Sequence, residues 1–419
     1  MDQEPEEDGG GVFRAGPQTP EKDGEEVFPA VPLHRHQSSL QDIWPVEIPA
    51  MDDNTRTQAG VRMRHILQHC EVAAANQPRQ GYNRPILVRL THDYARSNDS
   101  KTIFLSTFFE HLQLPLTGSI TDSDVNLSDT EVEERLRKSV DAFADYLMNN
   151  FYVPLKAVAN RTPQSSPMTH SALQRAQGSA LPEHVVGTST RISALRGECL
   201  LRDQHRCVIS RKFDLREASK RHRDEPGEAK DDDEELIRLD DVEPLEVAHI
   251  LPHSLVDASA NSLVDSTRKT TLDILNMFDV GIVRMIEGVE IDRPFNAITL
   301  STKHHLYFGS FEIFFEGPLS NRPPHTYRID AFDSFIGGIS GLPVTRTLSL
   351  AKNRSVDPPS PRLLAIHCAI GHILHLSGAG EYIDRIWRDA EEYGVRQDGS
   401  TDIGTLIGWK LGGCVDVQS

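Results

Sequence analysis

The order of three polar residues between positions 245 and 315 constrains this chain more than anything else in it. The apolar run Leu245-Glu246-Val247-Ala248-His249-Ile250-Leu251-Pro252 ends near a histidine, Phe295-Asn296-Ala297-Ile298-Thr299-Leu300 carries an asparagine, and His304-His305-Leu306-Tyr307-Phe308 carries two more histidines. The first run predicts a strand over 247–250, and Thr299 is read as the entry to a helix bearing His304 and His305. A compact strand–turn–strand–helix unit can then supply His249, Asn296 and His305 together.

These residue types suit phosphodiester hydrolysis, which needs an activated water, a cation on the phosphate oxygens and fixed geometry. Imidazole takes a proton near neutral pH and ligates divalent metals. A carboxamide can orient an imidazole by hydrogen bonding, leaving the other ring nitrogen facing water. A helix entry presents backbone N–H groups to a phosphate. His249, Asn296 and His305 are thus the candidates to supply these parts.

Arg202-Asp203-Gln204-His205-Arg206-Cys207-Val208-Ile209-Ser210, taken with the three blocks above, resembles the HNH nuclease domain. More narrowly, the Ala-His-Ile-x-Pro strand, Asp292-Arg293-Pro294-Phe295-Asn296 and the segment from Phe308 to Glu316 are similar to a variant common in fungal proteins. The likeness covers residues 195–320. It implies a ββα-metal fold, one divalent cation (Mg²⁺, Mn²⁺ or Zn²⁺) and an endonuclease cutting DNA, with His249 as general base, Asn296 as its orienter and His305 as a metal ligand. Two positions depart from the pattern. Ala248 stands where many such enzymes place a ligating Asp or His, and Gly309 where many place a further polar ligand. In a strand Glu246 shares a face with position 248, so it is the candidate replacement ligand, with His304 and Asp279 as further substitutes. The alternative function is a catalytically silent module of the same fold that binds nucleic acid or a protein.

Charge limits the partners. The net charge of −18 excludes a generally basic nucleic-acid coat, yet Arg211, Lys212, Lys220 and Arg221 form a local run that could meet phosphates. The acidic run Asp231-Asp232-Asp233-Glu234-Glu235 follows directly, which favours pairing within a charged loop. Five scattered cysteines, without a Cys-x-x-Cys pair, argue against a disulfide framework or a cysteine zinc knuckle. Cys207, with Ser210 three positions on, reads as a small core residue. No apolar run is long enough for a bilayer. The acidic start lacks the segments of a secretory signal. Both features predict an intracellular protein, and a DNA substrate would make the nucleus its address.

The expected fold class is α+β: an HNH-like ββα unit between mostly helical regions. Residues 1–52 read as a disordered acidic tail, 53–160 as a helical region, and 161–188 as a linker rich in Ser, Pro and Gln. Residues 189–330 are the nuclease-like domain with a charged surface insertion at 214–243, and 331–419 a loop followed by helices. Val61, Ile66, Leu67 and Cys70 mark one helix face. Pro85–Leu90 reads as strand-like or extended, and Ser128–Glu131 as a capping box. That box opens a helix whose stripe is Val132, Leu136, Val140, Phe143 and Leu147. Arg206–Ser210 reads as strand and turn, residues 327–361 as a loop, and Arg362–Glu391 as one long helical tract. His372 and His375 within that tract are read as core.

Overall fold

The computed structural model describes residues 48–75, 81–159, 188–252, 262–348 and 355–393. Most of the expected acidic tail, most of the linker and the chain's end lie outside them.

The first helix, α1 (Asp53–Ala75), buries Ala59, Met63, Ile66, Leu67 and Cys70, the i, i+4, i+7 spacing of one helical face. Val61 is left exposed, and Met63 takes the inward position. Helix α2 (Arg84–Asp93) replaces the strand expected at Pro85–Leu90. Asn83 caps it by accepting from the Ile86 N–H at 3.1 Å, and Pro85 sits in the first turn, where no amide donor is needed. Helix α3 (Asn98–His111) packs Phe104, Leu105, Phe108 and Phe109 inward. Helix α4 (Thr130–Leu147) buries the predicted stripe at Leu136, Val140, Phe143 and Leu147. Its cap is Asp129, one residue beyond the serine that the sequence suggested. One π-helical turn carries it into α5 (Val153–Ala159).

Helix α6 (Thr188–Arg202) leads to a turn at 207–210 in place of the expected strand; only Arg206 bridges, to Phe213. The charged insertion is structured. Strand β1 (Phe213–Asp214), helix α7 (Leu215–Asp224) and strand β2 (Val242–Glu243) close it, β1 and β2 pairing in parallel. Strand β3 (Leu245–His249), helices α8 (Ser262–Asn276) and α9 (Ile282–Ile286), and strand β4 (Ala297–Ser301) follow. Thr299 therefore lies within a strand. Helix α10 (Thr302–Gly309) starts three residues later, where Ser301 can cap it.

The expected loop after Tyr327 instead holds structure. Strands β5 (Ile313–Glu316), β6 (Thr326–Ala331) and β7 (Val344–Thr347) form an antiparallel sheet in that order, with helix α11 (Ser334–Ser340) between the last two. The long tract divides into α12 (Pro361–Ser377) and α13 (Ala379–Tyr393), bent by 78°. Gly378, at φ 71°, supplies the left-handed residue that ends α12. Gly371 permits close packing, since a Cβ there would lie 3.0 Å from the Phe332 ring. His372 and His375 both meet the Phe332 ring, His372 also meeting Tyr94 and Phe314. His372 is half-buried in this aromatic contact, whereas His375 is exposed. One buried apolar cluster runs from Ala59 through Leu245, Ile298 and Phe308 to Ile383, so the terminal helices and the β3–β4 ribbon share a core. No single helix among the described residues is long and apolar enough to cross a membrane.

Candidate functional site

Strands β3 and β4 pair antiparallel, with Glu246 opposite Leu300, Ala248 opposite Ile298 and His249 opposite Ala297. Successive residues of a strand face opposite sides. Glu246 and Ala248 therefore share the side that α10 covers, whereas Val247 and His249 face α6, where Val247 and Ala297 cluster with Leu195 and Cys199. The ribbon separates the candidate residues into two pairs.

The first pair is His249 with Asp292. The imidazole Nε2 lies 3.2 Å from Asp292 Oδ1, both side chains being almost fully buried. The other oxygen, Asp292 Oδ2, accepts from Arg191 Nε on α6 at 3.1 Å. Asn296 controls this pair through the backbone. Its Oδ1 accepts from the Leu251 N–H, and its Nδ2 donates to the carbonyls of Leu251 and Ile291, each at 3.0 Å. Its own carbonyl accepts from the Ile250 N–H at 2.7 Å. One buried amide thus ties the residues just after His249 to the residue just before Asp292. The direct amide–imidazole bond expected from sequence is replaced by this tie between segments.

The second pair is Glu246 with His305. Glu246 Oε2 lies 2.6 Å from His305 Nδ1, and Oε1 accepts from the Thr302 hydroxyl at 3.2 Å. His304, the neighbouring residue, turns away from them. Its Nδ1 lies 2.8 Å from Ser301 Oγ and 3.7 Å from Cys207 Sγ, and its Nε2 lies 3.2 Å from the Ser340 carbonyl. Burial alone would raise the Cys207 thiol's pKa. The hydrogen bond and charge of His304, helped by the Ser210 N–H, overcome that and lower it. Among the described residues, no group of three or more His, Cys, Asp or Glu side chains is arranged to hold a metal ion.

The basic run is largely paired within its own segment. Lys212 meets Glu243 at 3.4 Å, Lys220 meets Glu217 at 3.9 Å, and Arg221 bridges Glu217 and Asp232. Burial disfavours the Arg221 charge, but the bonds to Asp232 and Glu217 prevail and raise its pKa. Arg211 differs: it is half-buried and lies within ion-pair distance of no carboxylate among the described residues. A cavity of about 830 Å³ lies elsewhere, between α1, α2, α4 and the α12–α13 junction, and none of the ribbon's residues line it.

Beneath α10, the His367 ring stacks on Phe308 (centroids 3.9 Å apart, planes 8° apart), and its Nε2 lies 3.0 Å from the Phe308 carbonyl. Full burial pushes the His367 pKa down to about 3 from the ordinary 6.5. The unfolded chain therefore binds a proton at pH values where the folded chain does not. The stability that the neutral ring contributes is complete above about pH 6.5. It falls by about 1.4 kcal/mol per pH unit on acidification until about pH 3. Urea midpoints for the parent and His367→Met at pH 7.5, 6.0 and 5.0 should diverge in slope, with the variant flatter. Parallel pH dependences would show that His367 does not carry the effect.

Sequence reasoning missed Asp292 and Arg191. Asp292 stands in the run preceding Asn296, but its contact with His249 spans 43 residues of chain, and nothing local announces it.

Residues 207–316 match the family model described as HNH endonuclease. The match contains Glu246, His249, Asp292, Asn296 and His305, and stops short of Arg191. Neither the curated proteins nor the solved structures include a match to this chain.

Proposed function

We propose that this chain is an HNH-type endonuclease that hydrolyses phosphodiester bonds of DNA, its β3–β4 ribbon and α10 forming a ββα unit. The observation that carries the reading is the buried His249–Asp292 pair at the end of β3, inside the segment matching the HNH endonuclease family. Asp292 accepts a hydrogen bond from the imidazole, which holds the ring in the orientation and tautomer that a general base needs. Asn296 holds the two segments in register, and Arg191 fixes the carboxylate from behind.

HNH enzymes generally use a divalent metal. Glu246 and His305 are the donors that suit one here, a carboxylate oxygen and an imidazole nitrogen already 2.6 Å apart. Two protein donors fit an ion that keeps waters and draws its other ligands from phosphate, as Mg²⁺ does. Such an ion supplies positive charge to the phosphate oxygens as the bond breaks. The lack of a three-donor group among the described residues favours, as a second reading, a module of the same fold that binds without cutting. Plasmid nicking by the purified chain across Mg²⁺, Mn²⁺ and Zn²⁺ separates the two. Nicking that needs a cation is expected. His305→Ala should raise the cation concentration required roughly 10- to 100-fold. Absence of nicking with every ion would leave the binding module as the reading.

A further inference from the structure

The buried and half-buried arginines of α6 and the following segment nearly all have a carboxylate. Arg191 meets Asp292, Arg196 meets Asp214, Arg202 meets Asp203, Arg206 meets Asp231 and Arg221 meets Asp232. Arg211 has no ion-pair partner among the described residues, although the chain carries a net charge of −18 and acids are plentiful. A second guanidinium with no ion-pairing carboxylate among the described residues, Arg346 of β7, is seated beside the same turn, its Nε donating to the Ile209 carbonyl at 2.8 Å. Arg211 is disfavoured as a cation by burial first and then by the charges of Arg206 and Arg346, with Asp203 and Asp233 offsetting this in part. Its backbone is also left-handed, at φ 65°, a region that a glycine would occupy without strain. Two guanidiniums with no ion pair among the described residues, one of them on a left-handed turn, are an arrangement that a bound anion would relieve.

The position of the turn identifies that anion. The Val208 N–H donates to the Thr299 carbonyl at 2.9 Å, two residues from Ala297, which pairs with His249. Cys207 Sγ reaches His304, the residue before His305. A strand advances by about 6.6 Å over two residues, close to the spacing of successive phosphates. Lys303, exposed at the start of α10 and anchored on the Ile339 carbonyl, adds a third cation near this edge. We propose that Arg211, Arg346 and Lys303 form a ledge that grips the sugar–phosphate backbone of duplex DNA beside the ribbon. The ledge rests on the nuclease reading for its partner. It extends that reading beyond residue 316 to β7.

Binding can be measured apart from cutting, with the full chain carrying His249→Ala, in EDTA, on a labelled 24-base-pair duplex. Anisotropy titrations from 50 to 300 mM KCl give the affinity and its salt slope. Adding Arg211→Ala and Arg346→Ala should weaken binding roughly 10-fold and reduce the slope of log K against log salt by about 2. The corresponding double lysine variant should keep the parent slope, because the charge is retained. An alanine variant within two-fold of the parent and with equal slope would overturn the ledge. So would a lysine variant as impaired as the alanine one, or a parent that binds no duplex or prefers RNA of equal length. Nicking by the wild-type chain in Mg²⁺ tests the nuclease reading separately, so the two can fail independently.

Discussion

His249→Ala is expected to lower plasmid nicking by roughly 10²–10⁴-fold, the range that a positioned general base contributes. The variant should fold, because Asp292 keeps its bond to Arg191 and Asn296 keeps its three backbone partners. The buried carboxylate is not left without a counter-charge, which is the usual cause of collapse after a polar partner is removed. Asp292→Asn should give a smaller loss, since the amide can still bond the ring but can stabilise the wrong tautomer. That ordering distinguishes a base held by a carboxylate from a histidine that serves only packing. Single-turnover nicking on supercoiled plasmid reads it, with circular dichroism confirming equal folding. If His249→Ala nicks within three-fold of the parent, with other nucleases excluded, His249 is not the base.

Local patterns made part of this site legible and long-range contacts hid the rest. The strand ending at His249 and the stripe of α4 could be read because apolar spacing and neighbouring residues determine them. Glu246 could be picked out because strand alternation puts it on the same face as the ligand position that the resemblance places at 248, and it does meet His305. The strand reading of Pro85–Leu90 failed because Asn83 and Pro85 start a helix there, outweighing the β-preference of the run. Thr299 was misread because the helix start lies at Ser301, whose side chain can cap while Thr299 stays in the ladder. The tie from Asn296 to Leu251 crosses 45 residues, and Arg191 reaches Asp292 across 101. No window of sequence contains both ends of such contacts. The charged insertion was legible in composition but not in form: Asp231 and Asp232 pair with Arg206 and Arg221, so acid and base fold onto each other.

The largest loss of stability is expected at Arg202. Its side chain is fully buried, and its Nε and Nη2 meet the two oxygens of Asp203 at 2.9 and 2.8 Å. Nη1 donates to the Pro294 carbonyl at 2.7 Å and Nη2 to the Ala297 carbonyl at 2.9 Å. Burial would lower the Arg202 pKa, but the charge of Asp203 outweighs it and holds the guanidinium strongly protonated. Asp203 also accepts from the Thr299 N–H at 3.2 Å, so the pair joins α6 to β4. Arg202→Met leaves a buried carboxylate and two buried carbonyls short of their donors, and should cost about 3–5 kcal/mol in urea unfolding. Adding Asp203→Leu should recover part of that loss, because the stranded charge goes with it. A single variant costing under about 1 kcal/mol, or a double variant as unstable as the sum, would refute this account. The two carbonyls belong to residues flanking Asn296, the amide that keeps His249 facing Asp292. Loosening Arg202 should therefore slow nicking at temperatures where the chain is still folded, linking the deepest ion pair of α6 to the His249–Asp292 pair at the same end of the ribbon.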